Sequence, residues 1–180
     1  MDFTLISSED MYHGRAFNVR RDQVRAPDGK VLSLDIVAHV GAVTVLPIDE
    51  QGQVWFVHQY RHAAGKVLLE LPAGTLEAGE DPLECARREI REEIGQAAGK
   101  VEKLGEFFLA PGYSTETMHI FLATQLTANP LPGDADEFIS VSTYPLAQVL
   151  EMVRRGELQD AKSLAALLLA ATRLGLTAFG

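Results

Sequence analysis

Cysteine is almost missing from this chain. Cys85 is the only one among 180 residues, which excludes an intramolecular disulfide or a multi-thiolate zinc site as a source of stability. Positive charge is also scarce: 16 Lys+Arg stand against 25 Asp+Glu, a formal net charge of −9. A field of that sign opposes binding to nucleic acid or to an anionic membrane surface. Long apolar runs are absent as well, since the richest, Ser163 to Thr172, falls well short of the ~20 residues a spanning helix needs. The opening MDFTLISSEDMYHG has neither the basic start nor the apolar middle of a signal peptide, so a cytoplasmic address is expected. What remains is a 47% hydrophobic chain, the composition of one globular domain with at most a small appendage.

The first forty residues read as an antiparallel β unit: FTLIS, GRAFNVRRDQV and VLSLDIVAHV, the last two separated by the turn signal Ala26-Pro27-Asp28-Gly29-Lys30. A candidate boundary lies near Val40-Gly41, giving an N-terminal unit at 1–40 and a larger α/β domain at 41–180. AVTVLPI and QVWFVHQY flank Asp49-Glu50-Gln51-Gly52 and predict a β-hairpin. Beyond VLLELPAG, the pattern predicts a helix from about Asp81 to Ile94. Strands around Lys103–Ala110, Met118–Leu126 and Glu137–Tyr144 follow it. The last two elements are helices, one opening with Pro145 at its first position and one running from Ala161 toward Gly175.

The first helix has the most complete local signals. Asp81 serves as N-cap, Pro82 takes the first helical position and Gly95 terminates it. At about 100° per residue, Leu83, Ala86, Ile90, Ile94 and Ala97 share one stripe that should face the core. Glu89 and Glu93 border that stripe, and Glu92 lies further round on the same side. Two carboxylates 4 Å apart repel by roughly 4 kcal/mol at an effective dielectric of about 20, so a cation should relieve the cluster. One reading is a solvated face paired to Arg88 and Arg91. The other is a site for Mg²⁺ or Mn²⁺, which prefer hard oxygen donors.

In order, Gly74, Glu80, Arg88, Glu89, Ile90, Glu92, Glu93 and Gly95 fit the pattern G-x5-E-x7-R-E-U-x-E-E-x-G-U, with U a bulky apolar residue. On these residues the chain resembles the Nudix hydrolases. One position departs: Gln96 stands where a bulky apolar residue is usual, which bears on packing after the helix and on no metal ligand. QYRHAAGKVLLELPAG, FFLAPGYSTETMHIFLA with Pro111, and DADEFISVSTYPL are similar to the ADP-ribose pyrophosphatase branch.

The resemblance implies a Nudix α/β/α sandwich with a mixed sheet, preceded by a β unit that relatives exchange in a homodimer. It implies metal ligation by Glu89, Glu93 and the Ala73 carbonyl, with Glu92 as a further ligand, Arg88 orienting the carboxylates and Glu80 bracing the loop. Glu137 is the implied general base, with Asp134 and Asp136 close by, and Glu116 is the other candidate as well as a substrate contact. Arg61 is the implied phosphate-binding cation, the alternative being a surface salt bridge. Glu77 is a possible partner for ribose or base.

Tyr12, Phe17 and Tyr113 are aromatics that serve in strand cores more often than in base stacking. The histidines have no spacing that makes a metal site, and Cys85 reads as a small semi-buried residue.

The expected activity is Mg²⁺- or Mn²⁺-dependent hydrolysis of ADP-ribose to AMP and ribose 5-phosphate. The rivals are hydrolysis of another nucleotide sugar such as GDP-mannose, cleansing of nucleoside triphosphates, and a catalytically silent nucleotide-binding module. The expected partner is a small nucleotide diphosphate sugar, with no nucleic acid and no membrane.

Overall fold

A computed structural model describes residues 2–133, 138–173 and 175. The chain divides into two compact units, Met1–Gly41 with Phe107–Met118, and Ala42–Glu106 with His119–Gly180.

In the first unit, β1 (Thr4–His13), β2 (Asn18–Arg25) and β3 (Val31–Ala38) form an antiparallel sheet in that order. The β2–β3 turn falls at the Pro-Asp-Gly signal, where Gly29 takes a positive φ of 85° and its N–H bonds the Ala26 carbonyl. Cross-strand polar pairs occur on both faces: Arg21 forks Asp35 at 2.7 and 3.3 Å, and Ser8 donates to Asp22, the next residue of β2, at 2.6 Å. Residues 107–118 join this unit by pairing rather than by sequence. The Val37 N–H donates to the Tyr113 carbonyl, the Thr115 N–H returns the bond to Val37, and the Thr115 hydroxyl donates to the His39 carbonyl.

Among the described residues, the second unit holds two sheets and three α-helices. β5 (Gln53–Arg61) sits between β10 (Ile139–Pro145) and β6 (Lys66–Glu70), antiparallel to both. The other sheet has the order β7 (Ala73–Thr75), β4 (Ala42–Pro47), β9 (Thr117–Ala128), β8 (Gln96–Phe108). The expected β4–β5 hairpin is therefore corrected: only one bridge, Ile48 to Val54, joins its arms before they part into different sheets. The reason is burial. All six residues of β4 are buried, so this strand needs cover on both faces and sits inside its sheet rather than in a two-stranded ribbon. The turn itself forms as its sequence suggests, with Asp49 Oδ1 accepting from the Gln51 and Gln53 N–H groups.

Helix α1 (Pro82–Glu93) starts where its caps place it. The Asp81 carboxylate accepts from the Leu83 N–H at 2.8 Å, and Pro82 occupies the first turn. It ends sooner than the apolar stripe suggests. Ile94 is the C-cap, Gly95 takes a φ of 68°, and β8 begins at Gln96, so Ala97 belongs to a strand and not to the helix stripe. A left-handed glycine reverses the chain within one residue, and that is why β8 starts well before Lys103 and why Gln96 is only half-buried.

Cys85, Ala86 and Ile90 of α1, with the capping Ile94, pack against Val43, Val45, Val57, Phe121 and Ala123. Full burial of a side chain such as Ile90 contributes about 1.5–3 kcal/mol, so this face fixes both the height and the rotation of α1.

The remaining helices are α2 (Leu146–Arg154), whose N-cap is Pro145 rather than having Pro145 as its first residue, and α3 (Ala161–Arg173). Helix α3 packs on β4, and α2 on β5 and β10. No helix among the described residues is long and apolar enough to cross a membrane.

Candidate active site

Two buried glutamates on α1 face the short strand β7. Glu89 is 8% exposed and Glu93 5%, and burial of ionised carboxylates is costly unless hydrogen bonds and opposite charge compensate. Glu93 Oε2 accepts from the Ala73 N–H at 2.9 Å. Glu89 lies directly over Gly74, where a Cβ would stand 1.8 Å from Oε1 and 2.0 Å from the carboxyl carbon. The glycine is therefore a requirement of space: only a residue without a side chain leaves room for that carboxylate.

Arg88 organises the other oxygens. Its Nε and Nη2 donate to the two oxygens of Glu80 at 3.0 Å each, while Nη1 donates to Glu89 at 2.7 Å and Glu92 at 2.9 Å. One guanidinium thus links the loop before α1 to two glutamates on the helix, using the forked geometry of Arg. The Arg88 hydrogen bonds, working against partial burial, hold the Glu80 carboxyl down at about 2. Glu80 Oε2 also accepts from the Glu77 N–H at 2.9 Å, and the Glu80 N–H bonds the Glu77 carbonyl, closing the loop on itself. The Glu77 side chain is exposed. Burial, followed by the nearby Glu89 charge, raises the Cys85 thiol well above its ordinary value, which makes it a poor nucleophile.

Arg61 ends β5 and forks the buried Glu70 through Nε and Nη2, both at 2.8 Å. The alternative to phosphate binding was a surface salt bridge; the partner here is buried, with Glu70 only 1% exposed, while the Arg61 side chain keeps 42% of its surface. The Glu70 hydrogen bond raises the Arg61 guanidinium against the opposing effect of burial, and the charges of Glu70, Asp160 and Glu93 add to it. Arg61 therefore lies within the electrostatic reach of Glu93 on α1.

Glu116 belongs to the first unit. It is half-buried, its N–H bonds the Ser114 hydroxyl, and its carbonyl accepts from the Leu109 N–H. Asp134, Asp136 and Glu137 lie outside the described residues. Tyr12, Phe17 and Tyr113 are exposed, so none of the three is a core aromatic in this chain. His58 bonds the Ser142 hydroxyl across the β5–β10 pair.

Sequence reasoning missed Glu70 and Lys162, the latter donating to Glu70 from α3. The available signal was a single carboxylate in the apolar stretch VLLELPAG and an Asp-Ala-Lys opening to the apolar stretch DAKSLAALLLA.

Glu80, Glu89, Glu92 and Glu93 outnumber Arg88, so the cluster carries excess negative charge and offers oxygen donors only. Among the described residues no group of three or more His, Cys, Asp or Glu side chains is gathered to cage a metal on its own. An ion such as Mg²⁺ keeps several waters and is held by one or two carboxylates, so the donor set fits such an ion without a cage.

A capped helix thus sets this glutamate pair against a glycine-bearing strand, with an arginine locking the preceding loop. The NUDIX domain family matches residues 38–167, and the chain belongs to it. Residues 3–33 match the nucleoside diphosphate sugar hydrolase N-terminal domain family, a closer likeness for this segment than its β pattern alone suggests.

An ADP-ribose pyrophosphatase of Mycobacterium tuberculosis is 40% identical over 170 residues, covering 93% of this chain and 82% of that protein. One of Bacillus subtilis is 36% identical over 160 residues, covering 88% and 86%. A GDP-mannose pyrophosphatase of an Enterobacter species is 38% identical over 134 residues, covering 69% of each. A crystal structure of an ADP compounds hydrolase has the same fold, with a TM-score of 0.87 at 24% identity over 97% of this chain and 95% of that one. Nudix hydrolases generally need divalent metal ions.

Proposed function

We propose that this chain hydrolyses the diphosphate linkage of ADP-ribose to AMP and ribose 5-phosphate. The observation that carries the reading is the pair of buried carboxylates, Glu89 and Glu93, set against the Ala73-Gly74 backbone. ADP-ribose is preferred over GDP-mannose because the two ADP-ribose pyrophosphatases are matched along more of both chains.

Glu89, Glu93, Glu92 and the Ala73 carbonyl would hold Mg²⁺ or Mn²⁺, which when bound would supply Lewis-acid polarisation of the phosphate and a more acidic water. The protein's own groups do the rest. Arg88 keeps Glu89 and Glu92 turned toward one side of α1, and the Ala73 N–H fixes Glu93. Arg61 receives a diphosphate oxygen, for which a planar forked cation is suited. Glu77 takes a ribose or base hydrogen bond. Glu137 accepts the proton of the attacking water, with Glu116 the other candidate for that role and for a substrate contact.

The same reading divides the chain into a β unit at 1–40 and a hydrolase domain at 41–180, and has the β unit exchanged in a homodimer. Exposed apolar residues on β1–β3 and their flanks support it: Phe3, Leu5, Ile6, Tyr12, Phe17 and Leu34 are each more than 40% exposed, an unusual density for a surface facing only water.

The test is product analysis. Purified protein with Mg²⁺ or Mn²⁺ should release AMP and ribose 5-phosphate from ADP-ribose faster than it cleaves GDP-mannose. The reverse order would keep the reaction class and change the substrate. Inactivity on a broad diphosphate panel would leave a nucleotide-binding module.

A further inference from the structure

A network of alternating charge runs from α3 to Arg61. Asp160 caps α3: its carboxylate accepts from the Ser163 N–H at 3.1 Å and from the Ser163 hydroxyl, and its carbonyl accepts from the Leu164 N–H. Lys162, 9% exposed, pairs with Asp160 at 3.0 Å and with Glu70. Glu70 in turn accepts both bonds of the Arg61 fork. The Ser163 hydroxyl accepts from the buried Leu71 N–H at 2.8 Å, so the same helix end also fixes the chain two residues before Ala73.

The network balances two cations with two anions. Removing the Lys162 charge leaves Glu70 and Asp160 facing a single cation, Arg61. The guanidinium is then drawn inward, and its attraction for an external phosphate is cancelled by an uncompensated carboxylate. Its fork uses the Nε hydrogen and one on Nη2, which leaves Nη1 and the second Nη2 hydrogen to donate to a phosphate oxygen.

We propose that Lys162 is a positioning residue for substrate binding: by sharing Glu70 and neutralising Asp160, it holds Arg61 in place and leaves it with the positive charge that a diphosphate meets. The inference rests on the phosphate role given to Arg61 above. It predicts opposite consequences for two neighbours. Lys162→Met keeps the aliphatic stem but shifts the balance by one negative charge, whereas Asp160→Asn keeps a capping oxygen for Ser163 and shifts it by one positive charge.

Steady-state kinetics on ADP-ribose at saturating metal separates the possibilities. Lys162→Met should raise KM about ten-fold, the size expected when a charge-assisted contact is weakened, with kcat changed by less than about three-fold. Lys162→Arg should restore KM to within about three-fold of the original. Asp160→Asn should leave KM unchanged or lower it, where a purely structural role for the cluster would raise it in both variants. In an Arg61→Ala background, Lys162→Met should have no further effect on KM, because the group it positions is gone.

An unchanged KM in folded Lys162→Met, independent multiplication of the two effects, or a raised KM in Asp160→Asn overturns the proposal while leaving Arg61 as a phosphate contact. An unchanged KM in Arg61→Ala overturns both. If Lys162→Met does not fold, Lys162→Gln takes its place in the same measurements, with the same rise in KM expected and an unchanged KM overturning the proposal.

Discussion

Replacing Gly74 with alanine should separate the stability of this protein from its activity. The added methyl would lie 1.8, 2.0 and 2.5 Å from the three carboxyl atoms of Glu89, whereas ordinary contact begins near 3.4 Å. The carboxylate must therefore move by about 1.5 Å, given that interiors do not tolerate such overlap. The end of a flexible side chain can do this at small cost, and Gly74 has no positive φ that alanine would resist. The backbone even favours the change, since Gly→Ala at a compatible site stabilises by about 0.4–1 kcal/mol through the unfolded chain. Overpacking offsets part of that gain, so the melting temperature should stay within a few degrees.

Activity has no such tolerance. Glu89 would leave both the hydrogen bond from Arg88 and its place beside Glu93, and a 1 Å misplacement at a reacting centre can cost about 100-fold. The expected result is a folded protein with kcat lowered about 100-fold or more and with weaker Mn²⁺ binding by titration calorimetry. Turnover within three-fold of the original, with normal Mn²⁺ affinity, would refute the reasoning, because it would mean that the position of Glu89 does not matter.

Other outcomes follow from the same geometry. Glu93→Gln keeps an oxygen for the Ala73 N–H but removes the charge, so metal-dependent turnover should vanish while circular dichroism and melting temperature stay near the original; a near-normal rate removes Glu93 from the metal site. Glu137→Gln should lower turnover and leave substrate affinity largely intact, and a larger loss of turnover in Glu116→Gln would move the base to that residue. Ile90→Ala opens a cavity under α1 and should cost about 2–5 kcal/mol in urea unfolding; a loss below 1 kcal/mol would mean that α1 does not depend on this contact. The Glu80 carboxyl is depressed from 4.5 to about 2. Its contribution is fully present above the unfolded value and is lost as pH falls from about 4.5 through about 2. In acid unfolding, Glu80→Gln should flatten stability against pH across that window, and parallel curves for the two proteins would contradict the role of the Arg88 fork.

What could be read from the sequence was what depends on near neighbours. Asp81, Pro82 and Gly95 locate α1 because caps act within one turn, and the box residues carry their spacing with them. What could not be read depends on distant chain. Nothing local to AVTVLPI says that its strand is covered on both faces, so its separation from β5 appears only when α1 and α3 are seen packed on it. Gln96 looks like a defect in the apolar pattern until β8 begins there. Glu70 and Lys162 are separated by more than ninety positions, and nothing local to either names the other as its partner. Gly74 stands in the sequence as the first position of the box, and only the fold shows its use, which is to make room for a carboxylate fifteen residues on.

The Arg88 linkage also bears on which changes this segment can absorb over generations. Glu80 sits before the helix and Arg88 within it, joined by two bonds of 3.0 Å. Each inserted or deleted residue between them would swing Arg88 about 100° around the helix axis and away from its partner. Glu84 and Arg87 lie exposed on the surface of that stretch and can be exchanged for almost any side chain. Those two positions should therefore drift freely in composition while the segment stays fixed in length, a signature opposite to that of an ordinary surface loop, where insertions are the commonest form of divergence.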